Sequence, residues 1–530
     1  MKHIIQLSMV IVLIVTLGSC KKSLLDIESQ GAYSFDTYFT NSDALNQAVV
    51  ATYATLLHNG LWAREYYFIF DLTGYEAKKT NNMQGDLAQL ADYTFGTNQA
   101  TLADLWRSLY RMIFRANVVI DRANAWNPDN TTDQNNVKQY IAEVKFLRAY
   151  SYFNIVNLWG DAPLVMSYES MIDNNYPGRS TADSIWTAIE SDLKDAQADL
   201  PVSYSSTDLG RATKGAATAL LGKMYLYQKK WSDAQTEFLK LTQTPYSYTL
   251  DSSYDNLFSV TNQNSPENIF QIMNAEWDDQ IGNQYYEFGG QETWGGKATL
   301  SDRAQEYGFN DWNNVYITTT AVKAFTYPNP AGSGNYTDPR AKSTFYGTAA
   351  SGGDTMFCQE CAAGALKFPF DATDPKGDYK WKKYEYYYLV ETFGGPASPI
   401  NGQVMRYADV LLMLAETYIQ QSNTGAEPLG YINQVRKRVG ATAYPSLGGS
   451  QTTAMNILMR ERQLELCGEQ SRYFDLIRWG IAKQTINTER AAEPGDGTQP
   501  FQDKNVLFPI PDVEKNFNPN VAAQVKDGWN

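Results

Sequence analysis

Residues 213–246 read TKGAATALLGKMYLYQKKWSDAQTEFLKLTQTPY, and their spacing decides the fold. Leu221, Gly222 and Tyr225 are followed by Ala234 and Phe238, with Pro245 close behind. Apolar residues three and four apart share a helix face, so the stretch predicts two helices joined at Lys229, Lys230 and Ser232. Gly222 carries no Cβ and lets the helices approach, while Tyr225 and Phe238 fill the seam that a larger residue at 222 would hold open. One such pair cannot bury its own apolar face, so the chain must hold more of them.

The order L-G-x2-Y, A-x3-F, P is the tetratricopeptide spacing, one residue long at the Pro and with Thr218 in place of Trp. A small residue followed three positions later by Tyr recurs as Ala149 and Tyr152, and again as Ala415 and Tyr418. That is an internal repeat. Further periodic helices are predicted from Asn41 or Ser42, which can cap the first, and across 102–126, 137–159, 181–200, 429–440 and 455–480. Gly160 and Pro163 stop one helix and Pro201 another. Residues 60–98 read as a loop-rich aromatic segment. The fold class is mainly α: a tetratricopeptide-like helical repeat scaffold with a long irregular, loop-rich insertion. Residues 41–246 form an N-terminal helical region and 247–402 the aromatic-rich insertion. Residues 403–480 return to helical repeats, and 481–530 are irregular. Long irregular segments inside a compact body are uncommon and usually carry function.

The chain has 530 residues and a net charge of −14, which excludes the basic footprint of a nucleic-acid binder. Thirty-six Tyr and 12 Trp exceed what a helical core needs. His3 and His58 are the only histidines, which removes His-centred triads and multi-His metal sites. Residues 371–378, DATDPKGD, are rich in oxygen ligands but lack an EF-hand register, so they read as a turn; no metal or cofactor is expected, and structural calcium is unsupported. Glu461, Arg462, Glu465, Arg472, Asp475 and Arg478 fall at helical spacing and read as an ion-pair network worth little per exposed pair. Cys467 lies on an apolar face and reads as core.

Residues 1–19 read as an export signal, with Lys2 ahead of an apolar run over 4–17 too short to span a membrane. The run ends in Leu17-Gly18-Ser19-Cys20, a lipobox that makes Cys20 the acylated N-terminus. Residues 20–40 form the lipidated tether. Of the remaining cysteines only Cys358 and Cys361 are close, as a local disulfide or two thiols.

Six further motifs occur in order: FLRAYSYF (146–153) with NLWGDAPLV (157–165), RYADVLLMLAE (406–416), INQVRKRVG (432–440), ERQLEL (461–466), RYFDLIRWG (472–480) and LFPIPDVEKN (507–516). With the lipobox they resemble the SusD/RagB family of outer-membrane nutrient-binding lipoproteins over nearly the whole chain. One departure is Gln470, where the family's E-G-x-R stretch carries Gly. The resemblance implies a palmitate-anchored, surface-exposed binding protein of polysaccharide utilization, without catalysis. It would sit as a lid on a SusC-like TonB-dependent transporter and pass on oligosaccharides, or in some members peptides. The family's ligand site lies off the repeats, on N-terminal loops and the insertion, where aromatic rings and amide or carboxylate side chains form an arc.

Sugar rings offer flat C–H faces to Trp and Tyr, and their hydroxyls pair with Asn, Asp and Arg. Aromatic and amide residues coincide at 276–286, 291–294 and 310–314, which makes Trp277, Tyr286, Trp294 and Trp312 candidate ligand contacts. Asp71, Tyr75 and Asn81 join them by analogy of position. The competing role for each ring is packing in the insertion's own core. Other functions weighed are a peptide-binding RagB-like receptor, a tetratricopeptide adaptor and a glycoside hydrolase. The last needs two facing carboxylates; Glu276, Asp278 and Asp279 are adjacent in one segment and define no such pair.

Overall fold

A computed structural model of the chain describes residues 38–81, 83–259, 262–274, 303–307, 313–355, 379–384, 400–493, 499–524 and 528–529. The scaffold helices are α1 (Ser42–Ala54), α2 (Glu65–Thr73), α3 (Ala100–Ala125), α4 (Thr131–Trp159), α5 (Ala182–Asp199), α6 (Lys214–Tyr227) and α7 (Trp231–Lys240). They are followed by α8 (Tyr407–Gln420), α9 (Ala426–Arg438), α10 (Gln451–Leu466) and α11 (Arg472–Arg478). Asn41 caps α1 by accepting from the Ala44 N–H at 2.9 Å, and Gly160 ends α4 at φ +67°. Helices α4 and α5, α6 and α7, and α8 and α9 pack as successive pairs, with α5 against α6 and α7 against α8. Each small residue preceding a Tyr therefore sits on the first helix of a pair. A Cβ on Gly222 would lie 2.6 Å from the Phe238 ring, so the close approach is real. Tyr225 is buried in the same core, and its hydroxyl reaches α5 and donates to Glu190 at 2.9 Å.

Among the described residues the insertion rests on short strands: β1 (Ala77–Lys79), β2 (Asn268–Ile272), β3 (Val315–Ile317), β4 (Phe345–Tyr346), β5 (Lys380–Trp381) and β6 (Gly402–Arg406). Strands β2 and β6 pair antiparallel, from Gly402 opposite Ile272 to Arg406 opposite Asn268. They bring the two ends of the insertion together at the helical body, where Phe270 meets Phe146 edge-on at 4.9 Å.

Two sequence expectations are corrected. Residues 60–98 are mostly regular: besides α2 and β1 they contain a helix over Gly85–Asp92. Every residue of α2 is buried, so it has no polar face and shows no amphipathic period. The C-terminal segment holds a helix over Ala482–Ala491 and then a strap, where the Phe508 N–H donates to the Leu158 carbonyl and the Trp159 indole to Pro509.

The charged residues of α10 and α11 are not an exposed ladder. Arg340, from the insertion, reaches Asp338 at 2.7 Å, Glu461 at 2.9 Å and Glu465 at 3.2 Å. Arg406 meets Glu267 at 2.5 Å, Glu465 at 2.9 Å and Glu469 at 2.6 Å. Arg436 pairs with Glu461, and Arg438 with Glu465 and Glu267. A second set joins Arg462 to Asp409 and Asp475, and Arg478 to Glu416 and Asp475. These side chains are almost wholly buried, and apart from Arg478–Asp475 and Arg340–Asp338 the pairs cross elements. Burial works against the charge of Glu465, but Arg438, Arg406 and Arg340 outweigh it and hold the carboxyl well below the usual range.

Candidate functional site

The N-terminal region and the insertion meet at a sheet edge. Strand β1 pairs antiparallel with β3, setting Lys78 opposite Tyr316. An antiparallel bridge between Ile317 and Tyr379 continues the order to β5 and places Lys380 opposite Tyr316. Strand β5 pairs with β4, with Tyr346 opposite Lys380. Lys78, Tyr316 and Lys380 thus lie in a row across three strands, which ends at the buried Tyr346. Ala77, Val315, Ile317 and Trp381 point the other way and are buried.

The row is built on hydrogen bonds across the same junction. The Thr80 N–H donates to the Asn314 carbonyl at 3.0 Å and its hydroxyl to the Asn313 carbonyl at 2.7 Å. Asn313, at φ +52°, donates from its amide to the Tyr316 hydroxyl at 3.2 Å. Lys78 is held by Glu493 at 2.7 Å, and the same carboxylate accepts from the Thr319 N–H and hydroxyl. Lys380 places its Nζ 3.5 Å from the centre of the Tyr316 ring. Asn81 is exposed just beyond β1; Lys78, Thr80, Asn313, Tyr316 and Lys380 are half-buried. Phenol, amide and ammonium groups are thereby offered together, a set that can hydrogen-bond a polyhydroxylated ligand and stack against it.

Beneath the edge, a buried cluster fixes the helix Arg303–Tyr307. Glu306 takes Arg64 Nε at 2.5 Å and the Asn314 amide. Asp71 accepts from the Tyr307 hydroxyl at 2.7 Å and Gln470 Nε2 at 3.0 Å, with Arg303 at 3.4 Å. Burial pushes the Asp71 carboxyl up, partly offset by Arg303 and those donors. Burial likewise raises Glu76 to about 8: one oxygen accepts from the Gly468 N–H at 2.9 Å, and the other has no partner among the described residues.

These positions revise the expected contacts. Asp71 is fully buried and is committed to Tyr307, Gln470 and Arg303, so it orders the site's support instead of facing a ligand. Tyr75 is 2% exposed, stands 5.5 Å from the Arg490 guanidinium, and lends its carbonyl to the Thr318 hydroxyl. Both fall in or beside a helix where the sequence suggested a surface loop. Asn81 does lie on the surface, next to the junction. Trp277, Tyr286, Trp294, Trp312, Cys20, Cys358, Cys361 and the 371–378 turn lie outside the described residues; Trp312 adjoins Asn313 in the chain. Sequence reasoning missed Lys380, and reached Asn313 only as part of the 310–314 run. The alternation Val315-Tyr316-Ile317 was the available signal for a half-buried strand with an outward Tyr, but its partners lie 62 or more positions away and leave no local trace. Elsewhere, a small cavity of about 50 Å³ is lined by Trp62, Tyr66, Gln403 and Gln470.

The same chain is similar to known proteins along most of its length. A model described as the SusD family matches residues 266–529, and one described as "Starch-binding associating with outer membrane" matches residues 25–226. A SusD-like protein of Formosa agariphila is 27% identical, over 96% of this chain and 95% of its own. The crystal structure of a SusD superfamily protein from Bacteroides vulgatus superposes with a TM-score of 0.74 at 25% identity, covering 92% of this chain and 99% of the other. A laminarin-binding SusD-like protein superposes with a TM-score of 0.69 at 25% identity, covering 90% and 98%.

Proposed function

The chain belongs to the SusD family, and from that premise we propose that it is a glycan receptor of the outer membrane that captures oligosaccharides and delivers them to a SusC-like TonB-dependent transporter. The observation that carries this reading is the β1–β3 pairing, which joins the N-terminal region to the insertion and gathers Asn81, Asn313 and Tyr316 at one edge. Starch binding in the family description and laminarin binding in a structural neighbour support the ligand class. The Leu17–Cys20 lipobox supports a lipid anchor at Cys20, which leaves the body tethered and able to swing over a partner pore. The role is capture and hand-over, not bond cleavage: stacking and hydrogen bonds to hydroxyls give modest affinity and fast release, which suits passing a ligand onward.

The experiment is affinity electrophoresis of the soluble chain in gels carrying amylopectin, laminarin, galactomannan or polygalacturonate. At least one glycan is expected to retard the protein, and the combined Trp277→Ala, Trp294→Ala and Trp312→Ala variant is expected to lose about 1–3 kcal/mol of binding per ring that stacks. Retardation by none of them, or retardation unaltered in the triple variant, would count against the reading.

A further inference from the structure

Lys380 differs from the cations around it. The neighbouring Lys382 and Lys383 each have a carboxylate partner, Asp354 at 2.8 Å and Glu469 at 2.7 Å. Lys78, at the far side of Tyr316, is held by Glu493. Lys380 has no acidic partner among the described residues, in a chain with 58 acidic and 44 basic side chains. Its ammonium lies against the Tyr316 ring, which supports it without neutralising it. It is half-buried, so it is also partly stripped of solvent, and it stands on the face that carries the Tyr316 hydroxyl and the Asn313 amide.

Unlike Lys78, Lys382 and Lys383, Lys380 is not neutralised by a carboxylate among the described residues. A cation kept in place by an aromatic ring, with its charge unspent and two neutral hydrogen-bonding groups beside it, is complementary to an oxyanion. Charge-assisted hydrogen bonds are shorter and about twice as strong as neutral ones, so one such contact can sort anionic from neutral sugars. Resting on the glycan-receptor reading above, we infer that Lys380, supported by Tyr316 and Asn313, recognises an anionic substituent on the captured glycan, a uronate carboxylate or a sulfate ester. The stacking surface then supplies affinity for sugar in general, and Lys380 supplies the choice of sugar.

The test uses matched pairs. Full-length soluble chain is titrated against polygalacturonate and its methyl ester, and against dextran sulfate and dextran, with amylopectin and laminarin as further neutral glycans. Tighter binding to polygalacturonate than to its ester assigns a carboxylate; a preference for dextran sulfate over dextran assigns a sulfate. Lys380→Met, which keeps the stem and removes the charge, is expected to weaken the anionic ligand on the order of tenfold or more. Lys380→Arg should restore most of it, and added salt should weaken the wild type toward the variant. Binding of neutral glycans alone, indifferent to Lys380→Met, overturns this inference and leaves the receptor standing. An anionic ligand bound equally by both proteins overturns it as well. Binding of no glycan in either set overturns the receptor reading and this one with it.

Discussion

Gln470 occupies a left-handed backbone position, φ +58°, where the family's E-G-x-R stretch carries Gly. A side chain there costs roughly 1 kcal/mol. The compensation is visible: Nε2 donates to both oxygens of Asp71, at 3.0 and 3.1 Å, and to the Gly468 carbonyl at 3.1 Å. Gln470→Ala keeps the strain and loses these donors, so it should destabilise the fold by about 1–3 kcal/mol in denaturant melts. Gln470→Gly relieves the strain while losing the same bonds, and should cost less than Ala. Close by, Glu76 makes stability depend on pH. Its folded pKa, about 8, lies above its unfolded value, so the folded state holds the proton longer. Its contribution is complete below the ordinary carboxylate pKa and is lost as pH rises through about 8. Glu76→Gln should flatten that fall, which can approach about 1.4 kcal/mol per pH unit, when melts are compared between pH 5 and 8.

The insertion is attached to the helical body by charge as well as by the β2–β6 neck. Arg340 and Lys383 come from the insertion and end on Glu461, Glu465 and Glu469 of the α10 region. Removing one partner of a buried network leaves its opposites uncompensated. Arg340→Met should therefore cost about 3–5 kcal/mol and raise hydrogen exchange in 338–346 before the α6–α7 pair loses protection. The residues of this network on α10 and α11 were legible as helical and charged. Their burial was not, because Glu267, Arg340 and Arg406 converge on them from distant positions, and i,i+4 spacing says nothing about what packs on top. Asp71 and Tyr75 misled for a related reason. Polar residues in an aromatic segment look like a loop until Tyr307, Arg303 and Gln470 are brought to them.

At the level of the molecule, the proposed anchor and the proposed ligand edge are distinct parts of the sequence: Cys20 precedes α1, whereas β1 and β3 span 77–79 and 315–317. Cys20→Ala should release the protein from the outer-membrane fraction in cells lacking the transporter, with glycan affinity of the purified body unchanged; continued membrane association in such cells would refute the anchor.

The helical pairs, their order and the small residues in their seams were readable from the chain, because helix packing is written in apolar residues three and four apart and in local caps. The function class followed from ordered motifs instead. The pairing of 77–79 with 315–317, and of Tyr316 with Lys380, was decided only in three dimensions: period-2 strands of two or three residues carry almost no signal, and their partners are chosen by long-range packing. The stretch at 213–246 marks the scaffold. The proposed ligand edge forms where 77–79, 315–317 and 379–381, distant in the chain, close on one another.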